Sequence, residues 1–256
     1  MTAKQWLRNL LFPPKCVVCE KVLPISTALP YLCPSCAEKP DRVPYRICKT
    51  CGKILDIAAD RPYCTYCAKD KYPFSLFVAP FYNIGEIQHA IRRMKFCNRF
   101  SYADTFACLL CERIQSIPDF PDIDVIVPAP ISKKRLKQRG YNQTELIASK
   151  MAALLSVPSM PLLVKIKETP PQSTLSAKER TKNLEGSMEV LPLPDGMQTA
   201  LFLDDIYTTG STTAYCVKLL KKAGFRKVVA SAIAIAPPFW EEEQFVMQKE
   251  EWEDSF

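Results

Sequence analysis

Eight cysteines, arranged as four Cys-X-X-Cys pairs, constrain the first quarter of this chain more than any other feature. The pairs are Cys16/Cys19, Cys33/Cys36, Cys48/Cys51 and Cys64/Cys67. Such a pair can place two thiolates about 2.3 Å from one Zn²⁺, and two pairs complete a tetrahedral site. The spacing therefore predicts a Cys-rich, double zinc-ribbon domain over residues 1–70, in which two structural zinc ions replace the core that about 70 residues cannot build.

The spacing leaves the pairing and the metal open. The first pair can join the second and the third the fourth, or the pairs can interleave. Iron in a rubredoxin-like site is a smaller alternative to zinc. Disulfides are disfavoured, because the N-terminus lacks the apolar stretch of a secretory signal and a reducing compartment is expected. The domain can contact nucleic acid or a partner, or it can be a scaffold lobe packed on the rest of the chain.

The composition is that of a folded protein. Of the 256 residues, 48% are hydrophobic and 24% are charged, which excludes wholesale disorder. The longest largely apolar run, Val228–Ala236, falls short of the ~18 residues that cross a membrane, so we expect a soluble, cytoplasmic protein. Residues 239–256 form an acidic tail, which leaves the remainder of a chain of net charge +7 more basic still. A basic body favours phosphate-bearing partners.

Beyond residue 70 the pattern alternates between strands and helices. Strands are predicted at Ser75–Tyr82, Ile123–Val127, Thr199–Leu203 and Lys227–Ala236, and helices at Gly85–Phe96, Tyr102–Ile117, Asn142–Leu155 and Ser211–Ala223. Asn142, with Glu145 three residues on, is the predicted N-cap of its helix. Near-continuously apolar strands that alternate with helices are typical of α/β folds. We therefore expect residues 71–238 to form a parallel sheet flanked by helices. The remaining cysteines are expected to be small buried hydrophobic residues: Cys97, Cys108, Cys111 and Cys216.

One strand–loop–helix junction concentrates the chemistry. After the apolar strand come Asp204 and Asp205, then Thr-Thr-Gly-Ser-Thr over residues 208–212, and then a helix. Gly210 allows the backbone amides to turn inward, and together with the hydroxyls and the helix N-terminus they form an anion site. The carboxylates suit hydroxyl groups or a hydrated Mg²⁺. The segment predicts a site for a sugar phosphate.

The sequence LFLDDIYTTGST resembles the phosphoribosyl pyrophosphate (PRPP) motif of type I phosphoribosyltransferases. Together with the Cys-rich lobe, further segments in the same order make the chain similar to the competence protein F (ComF/ComFC, GntX-like) family. These segments are Val127-Pro-Ala-Pro-Ile131, Arg139-Gly-Tyr-Asn-Gln143 and the series Gln172, Leu175, Arg180, Asn183. The resemblance implies a type I phosphoribosyltransferase-like fold that binds PRPP with Mg²⁺.

The resemblance also implies roles for individual residues. The acidic pair, Asp204 and Asp205, would contact the ribose 2- and 3-hydroxyls. The loop would hold the 5-phosphate through Thr208, Thr209, Gly210, Ser211 and Thr212. The turn Ala129–Ser132, with Pro130 and Ile131, would form the pyrophosphate loop. Residues 168–187 would form a mobile hood that closes through Gln172 and Arg180, and family members carry a lysine at a helix end near Lys95.

The residues themselves support part of this map. Five cations lie between Lys133 and Arg139, where an Arg fork suits a diphosphate, although such a segment can also be a solvated or nucleic-acid-facing surface. The lone His89 is expected at the surface. A displacement of pyrophosphate at the ribose carbon needs cations and Mg²⁺ rather than a protein nucleophile.

Two functions remain open at this level. One is a PRPP-binding protein in competence-related DNA uptake and natural transformation, which binds single-stranded DNA or the competence helicase-like ATPase. The other is an active phosphoribosyltransferase on an unidentified base or amine. Glutaminase activity is not expected, because the first cysteine is Cys16, inside a metal-binding pair.

Overall fold

The computed structural model describes residues 3–38, 48, 67–68, 73–168 and 183–236. Its helices are α1 (Ala3–Leu11), α2 (Pro34–Ala37), α3 (Gly85–Phe96), α4 (Tyr102–Gln115), α5 (Lys133–Arg139), α6 (Gln143–Leu155) and α7 (Ser211–Ala223). Its strands are β1 (Phe77–Val78), β2 (Phe81–Tyr82), β3 (Val125–Pro128), β4 (Leu163–Lys165), β5 (Met188–Val190), β6 (Thr199–Tyr207) and β7 (Lys227–Ile235). Within these ranges, no helix has the length and apolar character needed to cross a bilayer.

A parallel sheet forms the centre of the α/β domain. Its strand order is β1–β7–β6–β3, and β2 also pairs with β7. Every pair in this sheet is parallel, and β6 and β7 are buried on both faces along most of their length. The predicted fold class is therefore confirmed.

Side chains that alternate along the strands build two apolar layers. Leu201 and Leu203 of β6 pack on one face with α3, α4 and α6. Phe202, between them, packs on the other face with α7 and with the antiparallel hairpin β4–β5. Both faces of this parallel sheet have to be covered, because both consist of apolar side chains and neither could face water.

The predicted first strand is divided in the structure. Sequence analysis placed one strand over Ser75–Tyr82, but β1 and β2 are separated by Ala79 and Pro80. A proline cannot donate to a ladder, because it has no N–H. Both short strands still pair with β7, so the chain keeps its place at the edge of the sheet.

The helix boundaries follow local capping signals. Helix α3 has its predicted bounds, and α4 ends two residues before the expected Ile117. The side chain of Asn142 caps α6 by accepting from the Thr144 N–H at 3.2 Å, as the sequence predicted. The basic segment forms a helix of its own, α5, which is capped by Ser132 and ended by Gly140 at φ 77°.

The N-terminal lobe packs against the helices of the α/β domain. Val17 and Val18 are buried in the same apolar cluster as α3 and α4. Arg93 of α3 donates to the carbonyls of both residues, and the Tyr31 N–H donates to the Thr105 hydroxyl of α4 at 3.1 Å. These contacts attach the described part of the lobe to α3 and α4.

Glu20 adds polar contacts to this interface. Its carboxylate lies 3.7 Å from Arg93 Nε and 3.5 Å from Arg99, and it accepts from the Tyr102 hydroxyl at 3.2 Å. Burial raises the pKa of that tyrosine, so it remains a hydrogen-bond donor. The lobe is thus fixed to α3 by charged as well as apolar contacts.

One expectation about the isolated cysteines was wrong. Cys111 and Cys216 are buried, as predicted, but Cys108 is half-buried and Cys97 is exposed. Cys97 caps the C-terminus of α3, where the chain leaves the helix into an exposed turn. The acidic tail, residues 239–256, lies outside the described residues, and the domain boundaries at 70 and 238 stay predictions.

Candidate functional site

A cavity of about 340 Å³ opens at the carboxyl ends of the parallel strands. It lies where ligands are found in sheets of this kind. Its walls come from the ends of β2, β3 and β6, from α3, α5 and α6, from the first turn of α7, and from the β4–β5 hairpin. The predicted site residues Asp204, Asp205, Thr208 and Thr212 all line it.

The acidic pair belongs to a strand rather than to a loop. Sequence analysis ended the strand at Leu203, but β6 continues to Tyr207 because it keeps pairing with β7. Asp204 pairs in register with Ala232 and Ile206 with Ala234. Both carboxylates are therefore held by the sheet and not by a mobile turn.

Asp204 lies in an environment that disfavours its charge. Burial, and to a lesser extent the negative charge of Asp205, raise the pKa of this carboxyl to about 7, although the Asp205 N–H, which donates at 2.8 Å, and the nearby Lys95 act in the opposite direction. One edge of Asp204 remains accessible from the cavity. At neutral pH this group is therefore shared between its protonated and ionised forms, which suits a residue whose partner arrives with the ligand.

Asp205 is held by an ion pair. Lys95 Nζ, in the last turn of α3, lies 2.8 Å from Asp205 Oδ2, and both side chains are largely shielded from solvent. Arg139 also faces this carboxylate. Burial lowers the pKa of the Arg139 guanidinium, and the negative charge of Asp205 offsets part of that effect. The Arg139 guanidinium is stacked 4.8 Å from the ring centroid of Phe96, which fixes its orientation at the cavity mouth.

Two further cations line the cavity. Arg135 comes from α5, and Lys165 comes from β4. Burial lowers the pKa of Lys165, and the charge of Arg135 lowers it as well. With Lys95 and Arg139, four cations from three segments distant in sequence share one cavity. That concentration of charge is unfavourable unless an anion neutralises it.

The predicted phosphate loop has a backbone conformation that requires glycine at position 210. Gly210 has φ 76°, and a Cβ there would collide with the ring of Tyr207. Helix α7 begins at the next residue. Thr208 and Thr212 reach the cavity, whereas Thr209, Gly210 and Ser211 are not among its lining residues. The hydroxyls of Thr209 and Ser211 instead lie within hydrogen-bond distance of each other at 3.0 Å.

The turn after β3 forms the opposite wall. Pro130 and Ile131 line the cavity, as expected for the predicted pyrophosphate loop. The turn is fixed at Ala129, whose N–H donates to the Leu203 carbonyl at 2.8 Å. The Ala129 carbonyl accepts from Asn142 Nδ2 at 3.0 Å and from Thr144 Oγ1 at 2.8 Å. The first turn of α6 therefore holds this loop in place.

Sequence reasoning missed two polar residues of the cavity. Asn83 follows β2, and Gln143 is the first residue of α6. Within the described ranges, Asn83 Oδ1 and Gln143 Nε2 are buried atoms with no hydrogen-bond partner. Asn83 could have been noticed as a polar residue directly after a predicted strand. Gln143 was quoted in the sequence analysis only as the last residue of a family segment, with no role in the site.

The hood lies largely outside the described residues, including Gln172 and Arg180. Strand β4 precedes the hood and β5 follows it, and the two pair as an antiparallel hairpin that the sequence analysis did not predict. Leu184 and Met188, at the far border, line the cavity beside Lys165. His89 lies on α3, half-buried, and is not among the cavity residues.

The first two Cys-X-X-Cys pairs form a candidate metal centre. The sulfur atoms of Cys16, Cys19, Cys33 and Cys36 all lie within 4.8 Å of one another, so the first pair joins the second and does not interleave with the third. Although burial opposes it, hydrogen bonds from the Cys36 N–H and from neighbouring thiols lower the pKa of Cys33 to about 7. Four such thiols are a donor set that suits Zn²⁺.

The remaining metal-site prediction is tested only in part. Cys51 and Cys64 lie outside the described residues, whereas Cys48 and Cys67 are described and buried. The second four-cysteine site therefore stays a prediction.

Replacing a cysteine of the cluster should unfold the lobe. We expect Cys36→Ser to lose one metal ion per chain and to lower Tm by at least ~10 °C, because a structural metal contributes several kcal/mol or more to folding. Metal content by atomic emission and thermal unfolding measure both effects. Cys97→Ser, at an exposed cysteine, is the matched control. Unchanged metal content in Cys36→Ser would contradict the assignment.

The pKa of Asp204 predicts a pH-dependent stability. The folded protein keeps a proton on this group up to about pH 7, whereas the unfolded chain loses it near pH 4. The free energy of unfolding therefore falls as pH rises between these values. Asp204→Asn is neutral throughout, so its Tm should rise relative to wild type between pH 5 and pH 8. The exposed Asp195→Asn should show no such trend, and a constant Tm difference for Asp204→Asn would refute the assigned pKa.

Comparison with known proteins supports the assignment of the N-terminal part of the chain. A family model described as a double zinc ribbon domain matches residues 7–71, which confirms the predicted N-terminal domain. Among solved structures, adenine phosphoribosyltransferase from Saccharomyces cerevisiae is similar at a TM-score of 0.35 and 16% identity, over 56% of this chain and 80% of that one.

Two curated relatives match nearly the whole chain. DNA utilization protein YhgH of Salmonella typhi is 27% identical over 221 residues, which cover 84% of this chain and 94% of the relative. Competence protein F of Haemophilus influenzae is 31% identical over 228 residues, which cover 87% of this chain and 97% of the relative. On this identity and coverage, the chain belongs to the competence protein F family.

Proposed function

We propose that this protein binds PRPP together with Mg²⁺ in the cavity at the end of β6, and that it acts in competence-related DNA uptake. One observation carries the ligand proposal: a carboxylate pair, a helix N-terminus with hydroxyls, and four cations meet in one cavity of about 340 Å³. The names of its relatives, competence protein F and DNA utilization protein YhgH, support the biological role.

The 5-phosphate fits the start of α7. Thr208 and Thr212 present hydroxyls there, and the backbone N–H groups in the first turn of a helix point toward an anion placed at its N-terminus. Gly210 brings the backbone close enough for these donors to converge. A phosphate at this position would not approach the acidic pair, because like charges would repel it.

The ribose hydroxyls fit Asp204 and Asp205. A diol donates two hydrogen bonds, and ionised carboxylates are acceptors only. Such a bond would favour the ionised form of Asp204, so ligand binding should release a proton from this group. The ion pair with Lys95 holds the Asp205 side chain in place.

The diphosphate fits the cationic wall. Arg135 and Arg139 line the cavity from α5, the helix that follows the turn after β3, and Lys95 is paired with Asp205. Mg²⁺ prefers oxygen ligands and is often held by one or two carboxylates plus phosphate oxygens. Asp204 and Asp205 supply the carboxylate oxygens that such an ion needs, so the residues fit the metal. When bound, Mg²⁺ would neutralise charge on the diphosphate.

Removing the carboxylates should abolish ligand binding. Calorimetry should detect PRPP binding to the wild type in the presence of Mg²⁺, and PRPP with Mg²⁺ should raise its Tm. The double variant Asp204→Asn, Asp205→Asn should lose the ligand-induced rise, because neutral amides bind neither Mg²⁺ nor the diol as well as carboxylates do.

The exposed Asp195→Asn is the matched control and should keep the wild-type response. Pyrophosphate release from PRPP, measured against a panel of bases and amines, would show whether the bound ligand also turns over. An unchanged ligand-induced Tm rise in the double variant would reject the site.

A second surface favours single-stranded DNA as a further ligand. Lys133, Lys134 and Lys137 of α5 are exposed, and Phe96 and Phe100 near the same helix are 67% and 50% exposed. Arg139 and Tyr141 contact these two rings, so the cations and the aromatic faces form one surface. Cations that track a backbone and rings that stack bases are the usual components of a single-strand binding site.

Charge reversal on α5 should weaken DNA binding in a salt-dependent way. The triple variant Lys133→Glu, Lys134→Glu, Lys137→Glu should reduce the slope of log affinity against log salt by about two, since each phosphate contact contributes ~0.7. Fluorescence anisotropy with a labelled single strand at several salt concentrations measures the slope.

The control makes the same change of net charge on a different helix. Lys218→Glu, Lys221→Glu, Lys222→Glu alters exposed residues of α7 and should leave the slope unchanged. An equal loss in both triple variants would indicate a general charge effect and no DNA surface on α5.

A further inference from the structure

Gln143 is a buried hydrogen-bond donor for which the described residues provide no acceptor. The residue is 3% exposed, and within the described ranges its Nε2 has no hydrogen-bond partner. A buried polar group without a partner costs about 1–3 kcal/mol, and folded proteins rarely retain one without a reason. Because Gln143 also lines the cavity, the missing acceptor can come from a ligand.

The two residues adjacent to Gln143 in sequence have side chains with structural roles. Asn142 and Thr144, on either side, direct their side chains to the Ala129 carbonyl, and the Asn142 side chain also accepts from the Thr144 N–H. These two residues therefore position the loop after β3. Gln143 takes no part in those hydrogen bonds, so it is not required to build the turn.

The position of Gln143 favours an anionic acceptor. It is the first residue of α6, a 13-residue helix whose N-terminal dipole favours negative charge. Arg135, Arg139 and Ser132 line the same side of the cavity. A neutral carbonyl or hydroxyl would satisfy the amide, but an anionic oxygen would also interact favourably with the two guanidinium groups.

Strand order separates this site from the 5-phosphate loop. The turn after β3 and α6 lie at one edge of the sheet, whereas Thr208 and Thr212 follow the neighbouring strand β6. A ligand that reaches both places must carry anionic groups at two positions, with a part between them that meets the carboxylates of β6.

We propose that Gln143 is a ligand-binding residue: its side-chain amide donates to an oxygen of the diphosphate at the N-terminus of α6 and so selects for ligands that carry this group. The proposal rests on the proposed function, since it takes PRPP as the ligand. It adds a residue whose role is to distinguish a diphosphate from a simple sugar phosphate.

The test uses three ligands with Mg²⁺ and the full chain. Calorimetry compares PRPP, inorganic pyrophosphate and ribose 5-phosphate. Gln143→Leu should weaken PRPP and pyrophosphate binding by about tenfold, the effect of one lost hydrogen bond to a charged group, and should leave the affinity for ribose 5-phosphate unchanged. Gln138→Leu, at an exposed glutamine of α5, is the matched control and should bind all three as wild type does.

Thermal unfolding without ligand separates this role from a structural one. Replacing an unsatisfied buried amide by an apolar side chain should leave Tm equal to or higher than that of wild type. Pyrophosphate affinity within twofold of wild type in Gln143→Leu, or an equal loss for all three ligands, would overturn the inference.

The same experiment distinguishes failure of the inference from failure of the proposed function. A wild type that binds PRPP, with Gln143→Leu binding PRPP equally well, refutes only the role of Gln143. A wild type that binds neither PRPP nor ribose 5-phosphate refutes the proposed function, and this inference with it.

Discussion

The ion pair between Lys95 and Asp205, 2.8 Å long, connects the N-terminal lobe to the candidate site. Lys95 lies on α3, the helix that receives the cysteine lobe through Arg93. Asp205 lies on β6, the central strand of the sheet. Without the ammonium group, two adjacent carboxylates would repel each other in a poorly solvated cavity. Folding of the cysteine lobe therefore supports the geometry of the site, although no cysteine contacts the cavity within the described part of the chain.

The cavity retains groups that reduce the stability of the folded chain. Asp204 is held at a pKa of about 7 chiefly by burial, and Gln143 and Asn83 keep buried atoms without protein partners in the described ranges. Four cations share the same space. Such groups are selected against in a core, because each costs free energy, but they are expected where a ligand supplies the missing partners. A ligand with a diol and two anionic groups would satisfy most of them together.

The sequence predicted the features that depend on local chemistry. The bounds of α3 and α7, the cap at Asn142 and the left-handed Gly210 all follow from neighbouring residues. Features set by distant pairing were missed. Strand β6 continues past Leu203 only because β7 lies beside it, and the β4–β5 hairpin has too few residues to show a period. That Gln143 and Asn83 have buried atoms without a partner in the described ranges could not be read from the sequence, because an unused hydrogen bond becomes visible only when the neighbours are placed.

A crystal structure of the protein with PRPP and Mg²⁺ tests the central claim most directly. The account predicts electron density for the ribose against Asp204 and Asp205, for the 5-phosphate at the first turn of α7, and for the diphosphate beside Arg139 and Gln143. Density for the ligand at any other place, or a cavity that stays empty at saturating ligand while both aspartates face bulk water, would contradict it.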